Sequence, residues 1–305
     1  MSFSSDIKQE LNKNSNLNKK ELVKYELIGY LISGNTDCIN KSKIKFSTES
    51  DYNINRYSKL LTNLDIDHNI DIVGKTFYIV IKTKDIEKIE EIEIEENKTK
   101  ETKEIKLKTD SVNKEGLEKN EENLRAIIKG IFMGSGSINN PEKEYHLEID
   151  ISNKENLENI IRLLNQVEIN VKNMSINNKL SIYIKEGEEI SKFLALIGAN
   201  KAVMQFEEIR IQKEMRGKVN RLVNCETANL NKTMNASIEQ ITAIEKLKEK
   251  GKFNLLDENL KEIAILRTEN PNMSLIELGK LLKTPLGKSG VNYRLKKLVE
   301  LANDI

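Results

Sequence analysis

Asn292, Tyr293 and Lys296 recur at helical spacing within GVNYRLKKLVELA (290–302), with Ser289 just before them. Arg294 and Lys297 flank that face, and Val291, Leu295, Leu298 and Val299 fall on the opposite side. The apolar side suits a core. The other side carries the groups that read nucleic acid: an amide can pair with an adenine edge in the major groove, and lysine or arginine can reach guanine or a phosphate. Lys288 and Ser274, at the starts of this helix and the preceding one, complete the first candidate set. A second set lies in EMRGKVNRLVNCETANLNKT (214–233). Arg216, Lys218, Arg221 and Lys232 have the charge to hold phosphate, a contact that fixes register without reading sequence. Asn224, Asn229 and Asn231 could donate to phosphate or to base edges. The same amides could equally satisfy the turns of an inter-domain joint, and both readings stand at this level.

The elements that must position these groups are short helices. DENLKEIAILRTEN (257–270) places Leu260, Ile263 and Ala264 on one face and stops before Pro271. SLIELGKLLK (274–283) opens with Ser274 and has Glu277 three residues on, the pattern of a capping box, with Leu275, Leu278 and Leu282 as its apolar stripe. TPLGKSG (284–290) breaks the chain, and Ser289 is the expected N-cap of the last helix. Three helices of which the third exposes amide and cationic groups match helix-turn-helix anatomy. A small bundle that binds protein has the same pattern. Residues 257–305 hold 8 Lys/Arg against 7 Asp/Glu, a balance that predicts weak DNA affinity from this unit alone. Residues 201–252 hold 11 against 7, so the segment before it is the more basic.

Upstream, one pattern occurs twice. ELVKYELIGYLISGNTDCI (21–39) and ENLRAIIKGIFMGSGSI (122–138) are apolar helices containing Gly29 and Gly130, 101 residues apart. Each is followed by a strand, a helix and two strands: KIKFSTE, residues 54–64, NIDIV and TFYIVIK in the first copy, YHLEIDI, residues 154–166, INVKNMSI and KLSIYIK in the second. A further helix, EEISKFLALIGA, closes the second copy. The strands alternate apolar and polar residues, as half-buried antiparallel strands do. An internal duplication of an α/β unit accounts for this economically. Glycine in a helix costs roughly 1 kcal/mol relative to alanine. It is tolerated where two helix backbones approach, so the helices could pair at a pseudo-two-fold axis; a glycine at an ordinary helix–sheet contact is the alternative. Residues 84–123, rich in Lys and Glu, read as a solvated helix or partly ordered linker.

Composition sets limits. The 305 residues are 38% hydrophobic and 32% charged with a net charge of +1, so any nucleic-acid affinity has to be local. Cys38 and Cys225 are far apart and in no metal-ligand spacing, which fits free thiols in a reducing cytosol. MSFSSDIKQEL has no apolar signal core, and no run approaches the ~20 apolar residues of a membrane span. The expectation is a soluble, cytoplasmic chain with no metal, cofactor or membrane partner.

Two resemblances sharpen this reading. IIKGIFMGSG resembles the signature helix of LAGLIDADG homing endonucleases, and LIGYLISGN is a weaker second copy. In that family an acidic residue near each helix end holds a divalent metal. The matching positions are Gly34 and Ser135, neither a carboxylate, and Asp37 and Glu142 fall at no matching position. The implied scaffold is cleavage-inactive. MSFSSDIKQEL, NNPEKEYHLEI (139–149), FLALIGANKAVMQFEEIRI (193–211), VNRLVNCETANLNKT (219–233) and GKSGVNYRLKKL (287–298) resemble, in order, the WhiA family of bacterial DNA-binding regulators. LEKNEEN (117–123) is acidic where members often carry basic residues and cysteines, so DNA contact by that edge is not expected.

The resemblance implies an α+β fold: a pseudo-two-fold LAGLIDADG-like duplicated domain with antiparallel sheets over 1–200 (copies at 20–83 and 120–200), a helical basic linker over 201–256, and an all-α helix-turn-helix domain over 257–305. It implies a nucleoid-associated, non-catalytic protein with double-stranded DNA as partner, beside other transcription or cell-division proteins. Family members act in transcription tied to sporulation, and elsewhere in cell division and chromosome segregation. Two competing readings are a protein-interaction scaffold with vestigial DNA binding and a metal-dependent DNA endonuclease.

Overall fold

A computed structural model describes residues 2–13, 17–40, 42–97, 102–108, 121–176 and 179–305. The chain divides into two compact units, Met1–Lys213 and Glu214–Ile305. No helix among the described residues is long and apolar enough to cross a membrane.

In the first unit, α1 (Phe3–Lys13) precedes the first copy: α2 (Lys20–Leu31), β1 (Thr36–Asn40), β2 (Lys43–Thr48), α3 (Asp51–Asn63), β3 (His68–Val73) and β4 (Thr76–Lys82). The short α4 (Thr83–Ile86) and a hairpin of β5 (Ile92–Asn97) and β6 (Thr102–Leu107) follow. The second copy comprises α5 (Glu121–Ser135), β7 (Gly136–Ile138), β8 (Leu147–Ile151), α6 (Lys154–Gln166), β9 (Lys172–Ile176), β10 (Lys179–Ile184) and α7 (Gly187–Leu196). The two four-stranded sheets have equivalent orders, β1-β2-β4-β3 and β7-β8-β10-β9, and all their pairings are antiparallel. The repeat read from the sequence is therefore a repeat of topology.

Of the two explanations for Gly29 and Gly130, the helix pair is the observed one. A Cβ on Gly29 would lie 2.2 Å from the Ile127 carbonyl oxygen, and one on Gly130 would lie 2.0 Å from that of Glu26. Only glycine lets α2 and α5 come this close. Around the contact, Leu27, Ile28, Ile127, Ile128 and Ile131 are buried. Polar ties cross the same seam: Asn53 Nδ2 donates to the Met133 carbonyl at 2.7 Å, and Asn35 Nδ2 to that of Gly134 at 2.8 Å.

The expected solvated helix or linker between the copies is corrected by the β5–β6 hairpin. Ile92, Ile105 and Leu107 are buried in the unit's core. The strand period was visible in IEIEEN and EIKL, but the dense lysine and glutamate on the alternate positions masked it. The edge of β6 is hydrogen-bonded by amides of α6. Asn153 and Asn156 donate to the Ile105 carbonyl at 2.9 and 2.8 Å, Asn159 donates to that of Leu107 at 3.0 Å, and Asn156 Oδ1 accepts from Leu107 N–H at 2.8 Å. An edge covered in this way cannot recruit another strand. Most of LEKNEEN, 117–120, lies outside the described residues.

The helix α8 (Asn200–Glu249) starts in the first unit and continues through the second. Its Cys225–Ser237 stretch, poorly periodic in sequence, is helical and exposed up to Ala236. In the second unit its C-terminal part packs with α9 (Glu258–Glu269), α10 (Leu275–Leu281) and α11 (Lys288–Asn303) around Ile244, Leu247, Ile263, Leu278, Leu295 and Leu298. Asp257 caps α9, and the Ser274–Glu277 capping box of α10 is present in both directions. A Cβ on Gly279 would lie 2.1 Å from the Leu286 carbonyl, so the α10–α11 turn closes tightly there. Arg267, buried on α9, fixes the loop that follows: its Nη1 donates to the carbonyls of Asn270, Pro271 and Met273 at 3.4, 3.3 and 2.8 Å.

Two outcomes follow for stability. Gly130→Ala forces α2 and α5 apart and is expected to cost about 2–3 kcal/mol, read as a lower urea midpoint; an unchanged midpoint would contradict the close-contact account. Arg267→Met keeps the length of the side chain but strips three carbonyls of their donor, an expected loss of about 1–3 kcal/mol in the unfolding of the second unit.

Candidate nucleic-acid interface

The last helix, α11, presents two chemically distinct faces. Val291, Leu295, Leu298 and Ala302 are buried, and Lys246 Nζ donates to the Ala302 carbonyl at 2.8 Å, anchoring the helix end to α8. Ser289, Asn292, Tyr293, Lys296 and Lys297 are exposed, Tyr293 at 69% of its full surface. Arg294 differs: it is half-buried, and its Nη2 donates to Asn259 Oδ1 at 3.2 Å, which ties α11 to α9. Ser289 is not the N-cap. Gly287 is, in extended conformation and without a side-chain cap, and the helix begins at Lys288. With no capping oxygen, the first N–H groups and the positive end of the helix dipole face outward.

Beside this helix start is a cavity of about 270 Å³. Lys232, Thr233, Ala236 and Gln240 of α8 form one wall, Arg267 of α9 the back, Ser274, Leu275 and Ile276 a second wall, and Lys288 and Asn292 of α11 the third. Three cations line it and no carboxylate does. Gln240 Oε1 and Arg267 Nε are buried there without a hydrogen-bond partner. Ser274 Oγ accepts from Glu277 N–H at 3.3 Å and keeps its own proton available. That backbone–side-chain box holds the Glu277 carboxyl below the usual carboxylate range.

The cavity joins Lys232, from the second candidate set, to Ser274, Lys288 and Asn292 of the first. Nothing in the sequence marked that convergence, because it depends on where α8 crosses the bundle. Arg267 and Gln240 were missed as well: a buried structural arginine looks like any other in one sequence.

The remaining α8 candidates do not share one face. At about 100° per residue, Lys218, Arg221 and Lys232 fall within about 60° of each other, and Arg216 lies on the far side. Lys218 pairs with Glu214 at 2.9 Å. Asn224 and Asn231 border one side of the cationic face and Asn229 the other; Asn229 Nδ2 lies 3.8 Å from Cys225 Sγ. All are exposed.

In the first unit, the end of the helix pair does not fit a divalent metal. A Cβ on Gly34 would lie 2.5 Å from that of Asp150, so the position has no room for a carboxylate. Gly34 N–H donates to the Asp150 carbonyl at 2.8 Å, and Ser135 Oγ to the same oxygen at 2.5 Å. The Asp150 carboxylate pairs with Lys179 at 2.7 Å. Asp37 and Glu142 are exposed elsewhere, and no cluster of three or more His, Cys, Asp or Glu suited to a metal occurs among the described residues.

Comparison with known proteins matches two family domains along the chain. Residues 124–216 match the WhiA LAGLIDADG-like domain, and residues 219–302 match the WhiA C-terminal HTH domain. The chain is 37% identical to the probable cell division protein WhiA of Clostridium botulinum, over 100% of this chain and 99% of that one. It is 46% identical to the Clostridium acetobutylicum protein of the same name over 61% of this chain and 59% of that one. The crystal structure of full-length DUF199/WhiA from Thermatoga maritima superposes with a TM-score of 0.61 at 28% identity, covering 100% and 99% of the two chains. The isolated N-terminal LAGLIDADG domain of DUF199/WhiA gives 0.51 at 25% identity, over 65% of this chain and 93% of that one. A LAGLIDADG-like duplicated fold without its acids, followed by a helical helix-turn-helix region, places this chain in the WhiA family.

Proposed function

We propose that this chain binds double-stranded DNA without cleaving it, and that α11 supplies base contacts while the α8 face supplies phosphate contacts. The observation that carries this is the carboxylate-free cavity in which Lys232, Ser274, Lys288 and Asn292 converge beside the exposed side of α11. Such a notch accepts a backbone phosphate. A phosphate seated there would bring Asn292, Tyr293, Lys296 and Lys297 to a groove, where the amide can specify a base. Lys218 and Arg221, on the same face of α8 as Lys232, extend the cationic track; Asn224, Asn229 and Asn231 border it, and Arg216, on the far side of the helix, is left out of it.

The biological setting follows the relatives named as probable cell division proteins. In this reading the chain is nucleoid-associated and acts in cell division and chromosome segregation, with transcription regulation, including that tied to sporulation, as the route. Transcription or cell-division proteins are its further partners. A second reading is favoured by one observation: Glu148 and Asp150 alternate with the buried positions of β8 and face away from the core, and Asp150 takes up Lys179 of the neighbouring strand, so part of the cationic charge that a DNA-facing sheet would need is spent internally. The duplicated unit then serves as a protein-interaction scaffold, and DNA contact rests with the second unit.

Gel shifts across a salt series test the DNA reading. Lys296→Ala and Arg221→Ala are expected to weaken binding and to lessen the log–log salt slope by about 1 for each lost phosphate contact. Asn292→Ala is expected to cost about 1–3 kcal/mol on a preferred site and little on random DNA. Absence of any shift at low salt would sink the proposal. Plasmid incubated with Mg²⁺ or Mn²⁺ is expected to stay supercoiled; nicking abolished by replacing a nearby acid would restore the endonuclease reading. A genome-wide map of bound sites separates promoter regulation from broad chromosome association.

A further inference from the structure

Residues 214–236 of α8 are exposed almost throughout, yet their apolar side chains are not scattered. At about 100° per residue, Met215, Val219, Leu222, Val223 and Leu230 fall within about 100° of arc. Each is 52–63% exposed. Further along α8 the same sector carries Ser237, Gln240 and Ile244, which are buried in the second unit. The face that packs a core near the end of the helix therefore runs back toward its middle, still apolar, for about 24 Å. Single apolar residues on a surface need no explanation, but a contiguous row marks a place where another surface docks.

The charges along this stretch say which surface. Residues 215–236 hold four cations, Arg216, Lys218, Arg221 and Lys232, and a single acid, Glu226. Glu226 lies in the middle of the stripe, about 20° from both Met215 and Val219, and Arg216 lies on its flank, about 20° beyond Val223. Lys218 is paired with Glu214 at 2.9 Å, whereas neither Arg216 nor Glu226 has an ion pair among the described residues. A carboxylate enclosed in an apolar seam is tolerated when a cation meets it. A bilayer brings no such cation to the centre of the stripe. A parallel pair of α8 helices sets Glu226 against its own twin. An antiparallel pair with its two-fold axis level with residue 221 brings Arg216 of each copy to Glu226 of the other, twice by symmetry. The same axis sets Val219 level with Val223 of the second copy and passes within about two residues of the stripe's midpoint, so apolar row and ion pairs share one register.

We propose that this stripe is the interface of a homodimer in which α8 packs antiparallel on α8 of a second copy, with Leu222 beside the two-fold axis and an Arg216–Glu226 pair on either side of it. Five large apolar side chains per copy, with their flanks, bring the buried surface to roughly 1,000 Å² in total. That is the lower end of specific interfaces and fits a dimer that dissociates in the micromolar range. Arg221 and Lys232 lie about 130° or more from the centre of the stripe, so the cationic face of α8 stays open in the pair. The interface does not depend on the DNA-binding reading.

Sedimentation velocity of the full chain without DNA, from about 0.5 to about 200 μM, tests the proposal. A concentration-dependent passage from monomer to dimer is expected. Leu222→Lys is expected to remain monomeric across the range, with unchanged helix content by circular dichroism. Arg216→Glu and Glu226→Arg are each expected to weaken dimerisation about tenfold, and the two together to recover it to within about threefold, a recovery that general damage to the helix does not give. A monomer at every concentration would overturn the dimer. Binding of that monomer to phosphatidylglycerol vesicles, lost in Leu222→Lys, would assign the stripe to a membrane surface instead. A dimer that Leu222→Lys retains would place the interface elsewhere, and one that both single charge variants retain at full strength would overturn the antiparallel register.

Discussion

The contact between Gly29 and Gly130 is the constraint on which the first unit depends. Two helix backbones meet there at a distance no side chain permits, and each copy uses the partner's helix as a wall of its own core. Close backbone approach also sets which polar ties are possible. Asn53 and Asn35 reach carbonyls at the end of α5, and Ser152 Oγ reaches the Ile32 carbonyl at 3.0 Å. At the C-terminal end of the helix pair, the Asp150 carbonyl takes hydrogen bonds from both Gly34 and Ser135. That end of the seam is closed by hydrogen bonds, and the close approach of Asp150 leaves no room for a side chain at Gly34.

The second unit solves a different problem. Its last three helices, residues 257–305, carry nearly equal numbers of cations and acids, so favourable contact with an anion there depends on sorting by face rather than on net charge. Sorting is visible in the α11 register, in the carboxylate-free cavity and in the cationic side of α8. Arg267 and Arg294 show the opposite use of the same residue type: both are spent on internal hydrogen bonds that hold helices in place.

Elements with strong periodicity were legible in the sequence. The sheet strands, α3, α6 and the three terminal helices follow from alternation, 3.6-residue spacing and end signals such as the Ser274–Glu277 box. Short or charge-masked elements were not. β7 is too brief to carry a period, β1 (TDCIN) follows the small-residue helix end without a clear run of alternation, and the β5–β6 hairpin hides apolar alternation under lysine and glutamate. Ser289 looked like a cap because serine favours that role, but the tight turn at Gly279 and Leu286 brings the extended residue to Gly287 instead. The exposed face of α11 could be read from spacing alone. The cavity could not, because its walls come from four helices and only tertiary packing aligns Lys232 with Lys288.

The paired glycines also impose a timetable on biosynthesis. α2 is apolar on nearly every side, with Val23, Leu27, Ile28, Tyr30 and Leu31 buried in the finished protein, and a helix of that kind has no stable exposed state. Its partner is encoded 101 residues later. At ribosomal elongation rates that interval lasts roughly 5–20 s. During it, the nascent first copy carries an uncovered helix that only its own unfinished sister can cover. Translation speed and chaperone capture over that interval therefore bear on the yield of folded protein, whatever the final stability of the fold.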